Sequence, residues 1–296
     1  MKIKCETNNE RIDKYLALKI SKSRALINKM IQKEFILVNG SPIRASYKLK
    51  IDDEIEILEG FVEEVDIIPE EMDIDIVFED NDIIIVNKPS GLVVHPGSGT
   101  HSGTLVNGLM YYTNTLSDIN GDNRLGIVHR IDKDTSGLLI VAKNNNAHNI
   151  LAQMFKDKKI KREYIALLKG EFPHESCTVD APIGRDKINR KKMTVTSDNS
   201  KEAITHLKVI KRYKDYTLVS LNLETGRTHQ IRVHMNYIGY PVHNDPVYNT
   251  ISTSDFGQFL HSTKLEFKHP ITMSEIDLEI PLPTYFKEFI DTLEEI

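Results

Sequence analysis

In the stretch GIVHRIDKDTSGLLIVAK (residues 126–143), His129, Arg130, Asp132 and Asp134 fall within six residues, just ahead of the apolar run 138–142. An imidazole, a guanidinium and two carboxylates supply a proton carrier, a counter-ion and a nucleophile or general base. The apolar run reads as a buried strand entered through the Ser136-Gly137 turn, which puts all four groups on the loop feeding it. Loops held by a rigid sheet are where chemistry concentrates. Asp134, followed by Thr-Ser-Gly, suits an Asx-turn that bonds local amides. Asp132, beside Arg130, is then the candidate reactive carboxylate. A hydrolase built on the pair fails on spacing, because carboxylates two residues apart on a loop have no assured separation across a scissile bond.

Two further stretches supply partners. In NNAHNILAQMFKDKKIKREYIALLKG, Ala147, Ile150, Leu151, Met154 and Phe155 recur at amphipathic-helix spacing. The helix leads into Lys156, Lys158, Lys159, Lys161 and Arg162, and Tyr164 then begins a strand. An aromatic face beside phosphate-seeking cations is what holding an unstacked base requires, although a strand tyrosine alone more often packs a core. In LETGRTHQIRVHMNYIGYPVHND, Thr228 can cap a helix whose buried face is Ile231, Met235 and Ile238, closed by Gly239 and Pro241. Arg232 sits at the margin of that face with His229 one turn before it, and Arg227 is the next cation to hand. Carboxylates in apolar clefts tend to lose their charge and a neighbouring guanidinium favours it, which is the physical case for Arg232 beside Asp132. A metal site from His229, His234 and His243 is disfavoured. His229 and His234 are five apart, on different helix faces, and no acidic partner recurs at ligand spacing. No metal is expected.

These loops need a frame. NDIIIVNKPSGLVVHPGSG (81–99) reads as an apolar strand broken by Pro89 and Gly91 and stopped by Pro96 and Gly97, with Lys88, His95 and Ser98 stabilising turns. Near the N-terminus, SRALINKMIQKEF sets Leu26, Ile27, Met30 and Ile31 at helical spacing behind Ser23 as N-cap. Asn39-Gly40 then marks a tight hairpin before the strand-like DEIEIL. Lys22, Arg24 and Lys29, at or near the start of the second helix, are candidate phosphate contacts.

The formal net charge of −5 is unevenly spread. Residues 1–58 carry 12 Lys/Arg against 8 Asp/Glu, residues 59–82 carry none against 11, and residues 83–296 carry 26 against 24. One segment holds the acidity, reads as a solvated spacer, and separates two mildly basic units, so a polyanionic partner stays open. The expected domains are 1–58, an acidic linker at 59–76, and 77–296. Cys5 and Cys177 match neither a CxxC pair nor a zinc pattern, in keeping with a reduced, cytoplasmic protein. The chain shows no signal-peptide pattern and no apolar run of the ~18 residues a membrane span requires, so no membrane partner is expected.

The N-terminal helix–helix–hairpin unit resembles an S4 RNA-binding domain. Beyond it, NKPSGLVVHPG, HRIDKDTSG, KREYIALLKG, GRTHQIRVHM and LHSTKLEFKHP resemble the motifs of RluA/RluD-type RNA pseudouridine synthases. The resemblance implies an α+β fold: a catalytic domain on a mixed, mostly antiparallel sheet with a central cleft, plus a small N-terminal S4-like αα-hairpin domain. It implies isomerisation of specific uridines in RNA, probed most naturally in 23S ribosomal RNA or a ribosome assembly intermediate, by a monomer without a cofactor. It makes Asp132 the essential catalytic residue, pairs Arg232 with it, stacks Tyr164 on the target base and has Arg130 assist base flipping. His129, Lys161, Arg162, Arg227 and His229 join Lys22, Arg24 and Lys29 as RNA-binding candidates.

Such a reaction breaks the N1–C1′ bond, turns the uracil over and rejoins it through C5. One ionised carboxylate suffices, and attack at C1′, attack at C6 and assisted elimination are all open to it. Extruding the base costs a few kcal/mol, which Arg130 or His129 could offset by filling the vacancy while Tyr164 covers the flipped base. Tyr240, Asn244 and Asn249 stand where the family usually shows His, Gly and Gly, a departure that touches local RNA contacts. The competing class, a non-catalytic RNA-binding or ribosome-assembly protein on the same fold, is opposed by the intact Asp132, Tyr164 and Arg232.

Overall fold

The computed structural model describes the chain apart from residues 21–23, 62–66, 98–99, 122–123, 190–191 and 250–255 and the side chain of residue 25. It divides into two units, Met1–Val65 and Asp66–Ile296. Among the described residues no helix is long and apolar enough to cross a membrane.

The first unit runs β1 (Lys2–Lys4), α1 (Ile12–Lys19), α2 (Arg24–Gln32), β2 (Ile36–Val38), β3 (Ser41–Pro42) and β4 (Glu54–Ile57). Its four strands pair in the order β1-β4-β2-β3. Asn39 and Gly40 both take positive φ (51° and 75°), as a two-residue hairpin turn demands, and Val38 pairs with Ser41 across it. Ile12 and Leu16 of α1, Ile27 and Ile31 of α2, and Ile36, Ile55 and Ile57 of the sheet form its core. Each such side chain contributes about 1.5–3 kcal/mol by burial.

Asp13 is fully buried beneath Arg11 and Arg24. Burial pushes its carboxyl up, and the two arginines more than reverse this. Arg24 Nη2 donates to Asp13 Oδ2 at 2.7 Å, so this guanidinium is tied into the fold rather than standing free as a phosphate contact. Lys29 lies in the last turn of α2. Ser23 and Lys22 lie outside the described residues.

The second unit opens with β5 (Ile76–Glu79), β6 (Ile83–Lys88), α3 (Leu105–Tyr112), β7 (Ser136–Ala142), α4 (Asn145–Lys156) and β8 (Lys161–Lys169). It continues through β9 (Ser176–Asp180), β10 (Ile183–Arg185), β11 (Met193–Val195), β12 (Ile204–Tyr213), β13 (Tyr216–Leu223) and α5 (Gln230–Tyr237). β14 (Leu260–Lys268), β15 (Glu275–Glu279) and α6 (Thr284–Asp291) complete it. A nine-stranded sheet takes the order β5-β6-β7-β14-β8-β13-β12-β9, with β15 also on β14. Every pairing is antiparallel except β7 with β14, so the fold is α+β on a mixed, mostly antiparallel sheet. Strand alternation buries both faces. Ile84, Val86, Leu139 and Val141 pack with Leu105 and Leu109 of α3, whereas Ile83, Ile85, Leu138 and Ile140 pack with Ala147 and Leu151 of α4.

The acidic segment behaves differently from a solvated spacer over its described later part. Ile67 is buried, Ile74 and Ile76 pack on the core beside α3, and Asn107 donates its side-chain amide to Ile68 O at 2.8 Å. Glu70 N donates to Asn107 O, and the Glu70 carboxylate accepts from Gly103 N. The isoleucines interspersed among the acids draw residues 67–76 onto the second unit, where an extended charged spacer was expected.

Candidate active site

The parallel β7–β14 junction fixes where the Asp132 loop emerges. His261 pairs with Ser136 and Ser262 with Gly137, so close that a Cβ on Gly137 (φ +109°) would meet Ser262 O at 2.2 Å. Lys88 holds the loop from below. Its ammonium is 1% exposed and donates to Pro89 O (2.7 Å), Leu92 O (2.8 Å) and Lys133 O (2.8 Å), joining β6's exit to the residue after Asp132. Burial lowers its pKa to about 7 against the opposing charges of Asp134 and Asp132. The expected Asx-turn at Asp134 does not form among the described residues: Asp134 enters the hydrogen bonding through its backbone O, which accepts from Ser90 Oγ at 3.0 Å.

Arg232 comes from α5. His229, not Thr228, occupies the N-cap position, at φ +57° and without a side-chain cap bond. Gln230 closes the turn instead, its Oε1 accepting from Arg227 N (3.0 Å) and Thr225 Oγ1 (2.7 Å) while its Nε2 donates to Ile204 O (2.9 Å). Gly239, at φ +87°, follows the helix as expected. Arg232 is 4% exposed, and its Nη1 donates to Asp132 Oδ2 at 2.9 Å.

Its other face meets a residue the sequence reading missed. Arg232 Nε donates to Asp245 Oδ2 (2.7 Å) and Nη2 to Asp245 Oδ1 (2.8 Å), a bidentate pair on a fully buried carboxylate. Asp245 Oδ1 also accepts from Val247 N (2.8 Å) and Tyr248 N (3.0 Å). Burial pushes Asp245 up, but Arg232 and these amides reverse this and hold it below the ordinary 3.8. Burial likewise opposes the charge on Arg232, and the two aspartates overcome it.

Tyr164 and Arg162 alternate on one face of β8, both buried, and line the Asp132 cleft with Arg130, Arg227, His229 and Arg232. Burial raises the Tyr164 phenol above its ordinary 10.0 and keeps it neutral. His229 Nε2 lies 3.9 Å from Asp132 Oδ1, and its Nδ1 is 3.0 Å from Tyr248 Oη. Arg130 is exposed at the cleft mouth. His95 Nδ1 donates to Pro96 O (2.9 Å), which leaves Nε2 to accept from Arg130 Nη1 (3.0 Å), so His95 orients Arg130 as well as bracing a turn.

Other candidates are held elsewhere. His129 Nε2 accepts from Ile140 N (2.9 Å), its ring lies 4.5 Å from that of Phe155, and burial lowers its pKa to about 3. That ring is a neutral part of the fold, not a side chain free to fill a vacated stack. Lys161 pairs with Glu266 at 3.1 Å on the surface. Tyr240 packs edge-on against Phe172 (5.1 Å), and Asn244 is buried at φ +56°, a left-handed backbone that asparagine tolerates.

The three histidines considered as metal ligands do not share surroundings. His234 sits between Thr205 Oγ1 and Ala181 O (2.9 Å each), and His243 stacks on Phe289 (4.7 Å). Among the described residues Asp80, Asp82 and His269 bring three ligand-type atoms within 4.8 Å. His269 Nδ1 accepts from Ile271 N (3.2 Å) and Thr272 N (3.0 Å), which places the ring proton on Nε2, 2.9 Å from Asp80 Oδ2. That imidazole has no lone pair for a metal, and the cluster fastens a turn.

A mixed sheet carrying a guanidinium-held carboxylate in a cleft rimmed by arginines defines an α+β enzyme for an anionic substrate. Residues 82–237 match the family described as RNA pseudouridylate synthase and residues 10–55 match the S4 domain. The chain belongs to the RNA pseudouridine synthase family and is an isomerase of that family with an S4 domain, rather than a non-catalytic protein on the same fold. It is 49% identical to the "Uncharacterized RNA pseudouridine synthase YlyB" of Bacillus subtilis (strain 168), over 98% of this chain and 96% of that protein. It is 38% identical to the "Ribosomal large subunit pseudouridine synthase D" of Neisseria meningitidis serogroup A, over 92% of this chain and 76% of the relative. The solved structure of human RNA Pseudouridylate Synthase Domain Containing 1 superposes with a TM-score of 0.62 at 25% identity, covering 76% of this chain and 89% of that one.

Proposed function

We propose that this protein acts in the cytoplasm, as a monomer, on uridines of large-subunit ribosomal RNA, with Asp132 as the catalytic carboxylate. The observation that carries the reading is the Asp132–Arg232 contact at 2.9 Å, in the same cleft as Tyr164. Arg232 aims the carboxylate, Tyr164 covers the extruded uracil, and Arg130, steadied by His95, enters the gap in the stack. The base then loses its N1–C1′ bond and gains a C5–C1′ bond, C5 releases a proton and N1 acquires one. Atoms balance without redox change. Relatives named as large-subunit synthases support the choice of RNA. In this reading the first unit grips RNA through Lys22 and Lys29, the second unit forms the catalytic domain, and Arg227 and His229, which line the cleft, contact the RNA there.

The test is to map pseudouridines in ribosomal RNA from cells lacking the gene, then restore either the wild-type protein or Asp132→Asn. The expected result is that specific sites vanish, return with wild type and stay absent with Asp132→Asn although RNA binding persists. Restoration by the variant, with deamidation excluded, would remove Asp132 from the chemistry. An unchanged ribosomal RNA map would remove the proposed substrate.

A further inference from the structure

Beside the Asp132 cleft lies a second cavity of about 520 Å³ that shares Arg130, Arg162, Gly226 and Arg227 with it. Arg162 stands between the two. It is 9% exposed, and among the described residues its guanidinium has no ion pair and its Nε no hydrogen-bond partner. Three lysines of the basic run are matched on the surface: Lys158 with Glu224 (2.6 Å), Lys159 with Asp157 (3.5 Å) and Lys161 with Glu266 (3.1 Å). Arg162 instead rests over the Phe155 ring at 5.4 Å, and any Cβ on Gly226 would come within 2.9 Å of its Nη1. Burying a guanidinium without a counter-ion is expensive, so a fold that makes room for one points to an anion supplied from outside.

Two further features fix the kind of anion. His129 Nδ1 is buried without a partner, and because Nε2 accepts from Ile140 N, Nδ1 carries the ring proton. The cavity also presents Lys156 and Arg227, while its carboxylates are Glu224, already paired with Lys158, and Glu202. Donors and cations predominate, as suits phosphate oxygens rather than a base edge. Tyr164 lies two residues along the same strand face, a displacement of about 6.5–7 Å and so close to one nucleotide step.

We infer that Arg162 and this cavity bind the phosphodiester within one nucleotide of the uridine whose base lies against Tyr164, setting the backbone register of the flipped nucleotide. The inference rests on the reading that an RNA uridine occupies the Asp132 cleft.

Phosphate-ethylation interference tests it. A large-subunit ribosomal RNA transcript, sparsely ethylated at its phosphates, is incubated with full-length protein, and molecules that acquire pseudouridine are separated from those that do not. Wild type should reject RNAs ethylated at a phosphate within one nucleotide of the modified uridine. Arg162→Gln should lose that one interference position, keep the others, and show kcat/KM lower by about 10- to 100-fold, the worth of a charge-assisted contact. Arg162→Lys, which keeps the charge, should recover part of the interference and guards against a folding defect in the glutamine variant. Isomerisation with an unchanged interference map in both variants would overturn the phosphate site alone. A transcript that wild type leaves unmodified would overturn the large-subunit reading together with it.

Discussion

Asp245→Asn perturbs the support of the site without touching the cleft. The amide has one acceptor oxygen where the carboxylate has two. To keep the bonds from Val247 N and Tyr248 N, that oxygen must occupy the Oδ1 position, which turns the new NH2 toward Arg232 Nε, donor against donor. Breaking a buried pair from one side costs about 3–5 kcal/mol, and the low end applies because Asp132 still partners the guanidinium. For a unit of this size that is a melting shift of roughly 6–12 °C. Arg232 would also pivot, and a displacement near 1 Å at a positioning group costs about 10²-fold in rate. The assays are thermal or urea unfolding and single-turnover pseudouridine formation at saturating protein. The expected outcome is both losses together, with RNA affinity unchanged. The sign with pH is set by Asp245 lying below its ordinary 3.8 in the fold. Its stabilisation is complete above that value, is lost as pH falls through the folded pKa, and is missing from the variant. Stability within about 0.5 kcal/mol of wild type, with turnover within about threefold, would refute the argument that Asp245 holds Arg232 in place.

Arg232→Lys retains the charge but offers one ammonium where three guanidinium bonds reach two carboxylates, so turnover should fall by at least about 100-fold; near-normal kinetics would pass the partnership with Asp132 to another cation, Arg227 first. Acid should destabilise the second unit well above the carboxylate range. Burial lowers His243 and His261 from 6.5 to about 4, so the unfolded chain binds more protons between those values and stability falls as pH drops from 6.5 toward 4. Each group accounts for about 2 kcal/mol lost by pH 5. Urea midpoints that coincide at pH 7.5 and pH 5 would contradict this.

What could be read from the sequence is what period and residue type encode. Alternation-free apolar residues at 138–142 and helical spacing from Ala147 to Phe155 announce β7 and α4, and Asn39-Gly40 announces its hairpin. Asp132 and Arg232 were legible because a carboxylate loop and a cation at a helix margin are each unusual alone. Pairing is another matter. The basic run from Lys156 to Arg162 reads as one patch, and only the fold separates the surface-paired Lys158, Lys159 and Lys161 from the buried Arg162, which has no ion pair among the described residues. The isoleucines within the acidic segment were outweighed by its charge count, although they decide where residues 67–76 pack.

Asp245 escaped for a related reason: nothing local marks an aspartate 13 residues beyond Arg232 as its partner, although it is the first carboxylate to follow in the chain. The fold gives that buried aspartate both bidentate bonds and leaves Asp132 a single one, through Oδ2. The division has a chemical consequence. A carboxylate clamped at both oxygens is a good anchor and a poor reagent, because its lone pairs are already committed. Asp132 is charge-compensated at Oδ2, while among the described residues Oδ1 has no hydrogen-bond partner and His229 Nε2 lies 3.9 Å from it, beyond hydrogen-bond range. Two carboxylates sharing one guanidinium thus give one fixed, buried ion pair and one carboxylate with an uncommitted oxygen, the division that the proposed role of Asp132 requires.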